Sequence, residues 1–521
     1  MAQPTPAVAA SPARNPFTEE FGKYVAELLQ RRNAPSVALA VIDGDDIFTQ
    51  AYGYATLPNT PATADSLYYT GSCTKAFTAA LIDHLIQSKN YPELAKGWDT
   101  PIASLIRDDF VLQDDWTTAH ATLRDAAGHL TGFSAHDLSN LSEREGHPWG
   151  AKECVRNMRN LPVVNEPRQQ LHYSNHMYVV LAHVAETLTG KWLGDLLQEN
   201  IWGPLGMNAT FMDEKDAQAA PERLATSLFW DEEKKIYQEL PLAPARVVGG
   251  AGGMISSVAD HAKWVKCLLH QDAPFNEATH KQIRTPLSIY DADDKSVRHY
   301  TLGWCRSSMA NKTMYDHMGS TGTFGAGVFW IPEAKYGVVA FSNSFNSAIS
   351  VTNILAKHLI QDKLNMAGDE SVDPSNRKYT HRFNEASKAG KEKANSIVDI
   401  LYPDKPLKQI MPPSASISKL AGTYSHPGYG TFEFVEAEHL EKAGVKVLES
   451  RRPDCFFAYR MQLEHVSGDF WVARVTWLHT GTPDRCDTAR FQFGVDGTPT
   501  GIEISLQGAG ENEGTIVLGR I

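Results

Sequence analysis

The sequence predicts an α+β protein: one antiparallel sheet flanked by helices and carrying a helical insertion, followed by a smaller all-β unit. Strand-like apolar runs stand near both ends of residues 17–365, with mostly helical patterning between them. From 366 to 412 the chain turns to Asp, Glu, Lys, Asn and Ser, and beyond 412 short apolar or alternating runs recur between turn residues. The length of 521 residues exceeds the roughly 100–200 of a usual domain, so more than one compact unit is expected.

Residues 1–16 open the chain as a flexible tail, because Met1 to Arg14 is rich in Ala and Pro and has neither the basic nor the apolar stretch of a secretion signal. Phe21, Val25, Leu28 and Leu29 then recur at helical spacing, and Val37 to Ile42 forms an apolar run ending at the turn residues Asp43 and Gly44. This predicts helix, strand, turn and strand. From about 65 to 270 the pattern is mostly helical, with long loops. Val328–Ile331 and Val338–Phe341 flank a turn to make a hairpin, and Val351, Leu355 and Leu359 mark a closing helix. Residues 366–412 are read as a linker between two independently cored units, with Pro403, Pro406, Pro412 and Pro413 punctuating its end. In 413–521, strands are expected around Phe432–Val435, Met461–Val466, Phe470–Val475, Phe491–Phe493 and Ile502–Leu506, as in a barrel or sandwich.

Composition excludes several functions. With 42% hydrophobic and 21% charged residues the chain can bury large cores. A net charge of −12 without a long basic run argues against nucleic acid or an anionic membrane as partner. No run approaches the roughly 18 apolar residues of a membrane span. Cys73, Cys154, Cys267, Cys305, Cys455 and Cys486 lack paired spacing, which points to reduced thiols and a cytoplasmic location rather than a disulfide framework or a zinc site.

A Ser followed three positions later by Lys on a helix brings the amine to the hydroxyl, where it can assist deprotonation. The pattern occurs at Ser72–Lys75, Ser375–Lys378 and Ser416–Lys419. The last two fall in or just after the polar linker. Ser72 follows Gly71 and opens a helix with Phe77, Leu81 and Leu85 on its apolar face, so of the three it alone is expected at a helix N-terminus, where free N–H groups favour a developing anion. Tyr173-Ser174-Asn175 is the one Tyr-x-Asn in the chain, and in an extended segment its phenol and amide would face one site. His317-Met318-Gly319-Ser320 stands just before the hairpin; a glycine there would let a substrate approach the strand, and the Ser320 N–H could join that of Ser72 as an oxyanion donor. Cys73 offers a thiol nucleophile, but it points about 100° around the helix from Ser72 and is read as a core thiol.

Taken in order, Ser72-x-x-Lys75, Tyr173-x-Asn175 and His317-x-Gly319 resemble the three boxes of the serine β-lactamase and penicillin-binding-protein superfamily, closest to its class C-like, esterase and D-aminopeptidase branch. Leu123-Arg124-Asp125, His129-Leu130-Thr131-Gly132, Pro204-Leu205-Gly206-Met207 and Gly252-Gly253-Met254 look like that family's framework, and Leu420 to Tyr424 like the start of an appended lipocalin-like barrel. The resemblance implies acyl transfer through Ser72, with Lys75 and Tyr173 sharing the base role and Asn175 orienting Lys75 and the acyl carbonyl. It implies no metal or organic cofactor. The expected partner is a small-molecule ester or amide, most simply an ester. The alternatives are acyl transfer to a natural product, a D-aminopeptidase or amidase, a weak β-lactamase, and a non-catalytic binder on the same scaffold. Where lactamases of this type carry Lys in the third box, His317 offers no fixed charge for a drug carboxylate, so β-lactams are expected to be poor substrates.

Overall fold

The computed structural model describes residues 14–144, 146–219, 224–242, 245–292, 296–345, 347–366, 396–402, 410–481, 483–506 and 513–521. Most of the tail, residues 367–395 and 403–409 of the expected linker, and with them Ser375–Lys378, Pro403 and Pro406, lie outside the described residues.

Helix α1 (Glu19–Arg32) begins where the Thr18 hydroxyl accepts from Phe21 N, and leads into β1 (Ser36–Asp43), β2 (Asp46–Thr56) and the short β3 (Thr60–Pro61). The helical insertion follows, with α2 (Thr74–Ser88), α3 (Asn175–Thr189) and α4 (Val258–His270) as its longest members. Strands β4 (Ser288–Ala292), β5 (Val297–Tyr300), β6 (Cys305–Met309), β7 (Lys312–Ser320), β8 (Gly325–Ile331) and β9 (Tyr336–Ser342) then complete the sheet, and α5 (Ala348–Lys363) returns across it. The order is β4-β5-β6-β7-β8-β9-β1-β2-β3, antiparallel throughout, with β1 closed onto β9 through pairs such as Leu39 with Ala340. Distant ends of the first unit thus share one sheet.

Strand β1 is apolar at every core position because both its faces are covered. Ala38, Ala40 and Ile42 pack with Phe77 of α2 and Trp264 of α4, whereas Val37, Leu39 and Val41 pack with Val25 of α1 and Leu355 of α5. A period of two along the strand sends alternate side chains to the two layers.

The eight strands β10 (Gly422–His426), β11 (Gly430–Glu438), β12 (Lys446–Arg452), β13 (Tyr459–Ser467), β14 (Phe470–Trp477), β15 (Pro483–Phe493), β16 (Pro499–Leu506) and β17 (Gly514–Arg520) form a closed barrel, β17 pairing with β10. The hydrophobic core runs across the junction instead of stopping at it: Leu141, Met158 and Leu161 of the first unit belong to one cluster with Tyr429, Cys455 and Phe456 of the barrel. Main-chain bonds seal the contact, from Ser142 N to Asp454 O at 2.7 Å and from Phe456 N to Asn140 O at 2.8 Å. Such a shared core binds the units more tightly than a polar linker alone suggests. Among the described residues no helix is long and apolar enough to cross a membrane. All six cysteines are unpaired.

Candidate active site

Ser72 lies in a single 3-10 turn, Gly71–Cys73, that feeds directly into α2. The end of β7 lies on that turn. A Cβ on Gly319 would stand 1.9 Å from the Thr70 carbonyl and 2.9 Å from Ser72 N, and one on Gly71, at φ +50, would stand 2.4 Å from Ser320 N. Only glycine permits this approach. The bare face of Gly319, a residue expected to give a substrate room, lies against the Ser72 turn. The approach brings the backbones of Ser72 and Ser320 together, as a pair of oxyanion donors would require.

Lys75, one turn further and 0% exposed, occupies the centre of the site. Its Nζ lies 3.0 Å from Ser72 Oγ and donates to Asn175 Oδ1 at 2.7 Å and to the Ala251 carbonyl at 2.9 Å. The faces of Tyr173 and Tyr178 flank it, with ring centroids 4.9 and 5.5 Å from Nζ. Burial pulls the amine down to about 7, against the opposing pull of Asp137. A neutral amine is thereby available near neutral pH, as a proton acceptor for Ser72 must be.

Asn175 is held from its other end, since its Nδ2 donates to Asp137 Oδ1 at 2.9 Å. Burial pushes the Asp137 carboxyl up to about 6, while the Asn175 bond and the Lys75 charge lower it. The Tyr173–Asn175 segment is not extended throughout: Ser174 is the N-cap residue of α3 and Asn175 its first residue. Both side chains nevertheless meet Lys75, because the segment enters the helix facing α2.

His317 is buried and pulled down to about 3, first by burial and then by the Lys75 charge. Its Nδ1 lies 2.7 Å from the Met318 carbonyl, which can only accept, so Nδ1 carries the proton and Nε2 accepts from the Tyr300 hydroxyl at 3.1 Å. His317 is a neutral, fully engaged ring, 6.4 Å from Tyr173 between centroids. His129 packs on Tyr173 at 4.3 Å, and its Nδ1 accepts from Ser174 N. Cys73 is a core thiol, donating to the His317 carbonyl at 3.4 Å and pushed up to about 12 by burial.

Ser72, Lys75, Tyr173, Asn175, His317, Gly319 and the Ser320 backbone thus converge. Ser416 corrects one expectation, since it too precedes a helix, but one of four residues (Ile417–Leu420) whose Ser416 and Lys419 are both exposed. Asp137, Tyr178 and Tyr300 were not singled out from the sequence. No motif marks them, and for Asp137 the nearest signal was the His129–Gly132 framework just upstream.

The antiparallel sheet and its covering helices, with Ser72 and Lys75 where they meet, have the arrangement expected of the β-lactamase family. The β-lactamase family profile matches residues 21–361, and the chain belongs to that family. Two relatives align over 94% of this chain: the unguisins hydrolase ungD' of Aspergillus campestris, 33% identical over 90% of its own length, and the unguisins hydrolase ungD of Aspergillus violaceofuscus, 34% identical over 88%. Among solved structures, the octameric penicillin-binding protein homologue from Pyrococcus abyssi superposes with a TM-score of 0.60, covering 96% of this chain and 99% of that one at 19% identity. That likeness concerns the fold, barrel included.

Proposed function

We propose that the chain is a serine hydrolase that forms an acyl-enzyme at Ser72 from an uncharged ester or amide carbonyl. The observation that carries this reading is the Lys75 amine, 3.0 Å from Ser72 Oγ and pulled down to about 7. In the proposed reaction Ser72 Oγ attacks the carbonyl carbon while Lys75, assisted by Tyr173, takes the hydroxyl proton. The N–H groups of Ser72 and Ser320 hold the oxyanion, a contribution of about 3–4 kcal/mol per donor in comparable sites. Asn175 keeps the amine aimed. The proton returns to the leaving group, and water attacks the acyl-enzyme to release the acid and restore Ser72.

The neutral His317 supports an uncharged substrate over a β-lactam carboxylate, which would lose a charge-assisted bond of about 1.5–3 kcal/mol. Esters are our first expectation. The names of the two relatives that match nearly the whole chain put unguisins beside them. The test is fluorophosphonate labelling with mapping of the modified residue, followed by turnover of unguisins, p-nitrophenyl esters, D-amino-acid amides and nitrocefin. Label on Ser72, with esters or unguisins turned over faster than nitrocefin, is the expected result. No label, label on another residue, or nitrocefin as the best substrate overturns the reading.

A further inference from the structure

The barrel reaches the candidate site along a short polar path. Between β10 and β11 it presents Tyr429, 1% exposed, to the first unit. The Tyr429 hydroxyl lies 2.8 Å from His136 Nδ1, and His136 Nε2 lies 2.9 Å from the Pro162 carbonyl. Because a carbonyl only accepts, Nε2 carries the proton and Nδ1 accepts from Tyr429. His136 sits at φ +48, a conformation that a residue with a Cβ keeps only where its surroundings hold it. The next residue is Asp137, whose Oδ1 holds Asn175 and through it Lys75.

Tyr429 is itself clamped. Arg452, also 1% exposed, donates from Nη1 to the Tyr429 carbonyl at 2.5 Å, and its Nε and Nη2 grip the Asp454 carboxylate at 2.9 and 2.8 Å. The Asp454 carbonyl in turn accepts from Ser142 N across the junction. One buried guanidinium therefore ties together two of the barrel segments that meet the first unit.

Resting on the acyl-enzyme reading above, we propose that Tyr429 of the barrel is a positioning residue for the hydrolase: by fixing His136 it holds Asp137 against Asn175, and so holds the Lys75 amine at Ser72. The catalytic groups all belong to the first unit, and their alignment depends on the second. A misplacement of about an ångström at the base is enough to slow acyl transfer severely. The charged and titratable groups bearing on Asp137 are Lys75 from α2, Cys154 from the helix Ala151–Asn157, and Glu513 with Arg485 from the barrel.

The test uses the full chain. Tyr429→Phe removes one hydroxyl and keeps the ring. We expect it to lower kcat on the best ester about tenfold with KM nearly unchanged, and to displace the acid limb of the pH profile. His136→Gln keeps a donor for Pro162 and loses the acceptor for Tyr429, so it should reproduce the loss, and the double variant should lose no more than either single one. Tyr424→Phe is the control, since it deletes another barrel hydroxyl, bonded to the Leu420 carbonyl at 2.7 Å, and should keep the wild-type rate and profile. If Tyr429→Phe does not fold, His136→Gln decides by the same readings. A wild-type rate and profile in the folded variants overturns the inference, as does an equal loss in Tyr424→Phe. A wild-type chain that never acylates Ser72 overturns the proposed function, and this inference with it.

Discussion

Ser72–Lys75 and Ser416–Lys419 have the same spacing and both stand at the start of a helix, yet they have nothing chemical in common. Lys75 is wholly enclosed, with Ser72, Asn175 and the Ala251 carbonyl around its amine. Among the described residues Ser416 Oγ meets only Ser418 Oγ, at 3.0 Å, at the start of a four-residue helix on which Ser416 and Lys419 are exposed. Spacing puts a lysine within reach of a serine; exclusion of water makes that lysine a base.

The widest gap between the two pairs is expected from the serines. Ser72→Ala should remove fluorophosphonate labelling and lower kcat by at least about a thousandfold, with stability within about 1 kcal/mol of wild type, whereas Ser416→Ala should label normally. Labelling that survives in Ser72→Ala would end the assignment.

Lys75→Met should cost about a hundred- to ten-thousandfold in the acylation rate. It should also alter the dependence of stability on pH. The folded amine titrates near 7 and the unfolded one at the ordinary 10.5, so between these values the unfolded chain binds the extra proton and stability rises with pH. The cost of burying the charge is full below about 7 and fades above it. Thermal unfolding across this window should rise more steeply with pH in wild type than in Lys75→Met, and equal slopes would refute the buried-base account.

For the same reason the wild-type labelling rate should climb as pH passes about 7, following the neutral amine. A rate that falls over that interval would remove Lys75 from the base role. Cys73→Ala comes next: labelling at Ser72 should persist, thiol reagents should leave activity intact because the buried thiol is pushed up to about 12, and the lost packing should cost about 1 kcal/mol by thermal unfolding. The smallest change is expected in Lys419→Ala, within about 0.5 kcal/mol and without effect on rate.

Much of the fold is legible because its signals are local. The run Val37–Ile42, the hairpin around Pro332 and the helical spacing of Val351, Leu355 and Leu359 each depend on near neighbours. Five barrel strands carry apolar runs. Strand β12 does not, since Lys446–Arg452 buries Glu449, Ser450 and Arg452; Glu449 accepts from Gln462 Nε2 of β13, and Arg452 donates to Asp454 and the Tyr429 carbonyl. Strands β10 and β17 are short and glycine-bearing, and β17 closes the barrel through a pairing with β10 nearly a hundred residues earlier.

By itself the sequence determined the layer architecture, the order of the three boxes and that Ser72, unlike Ser416, opens a long helix with an apolar core-facing set. Tertiary structure alone decided that Gly319 yields to the Ser72 turn, that Asn175 heads a helix, that Asp137 anchors it, and that a barrel tyrosine 293 residues from His136 supports Asp137's neighbour. The reason is physical. Periodicity and turn chemistry act over a few residues, whereas the basicity of an amine and the aim of an amide are set by whichever distant segments displace water around them.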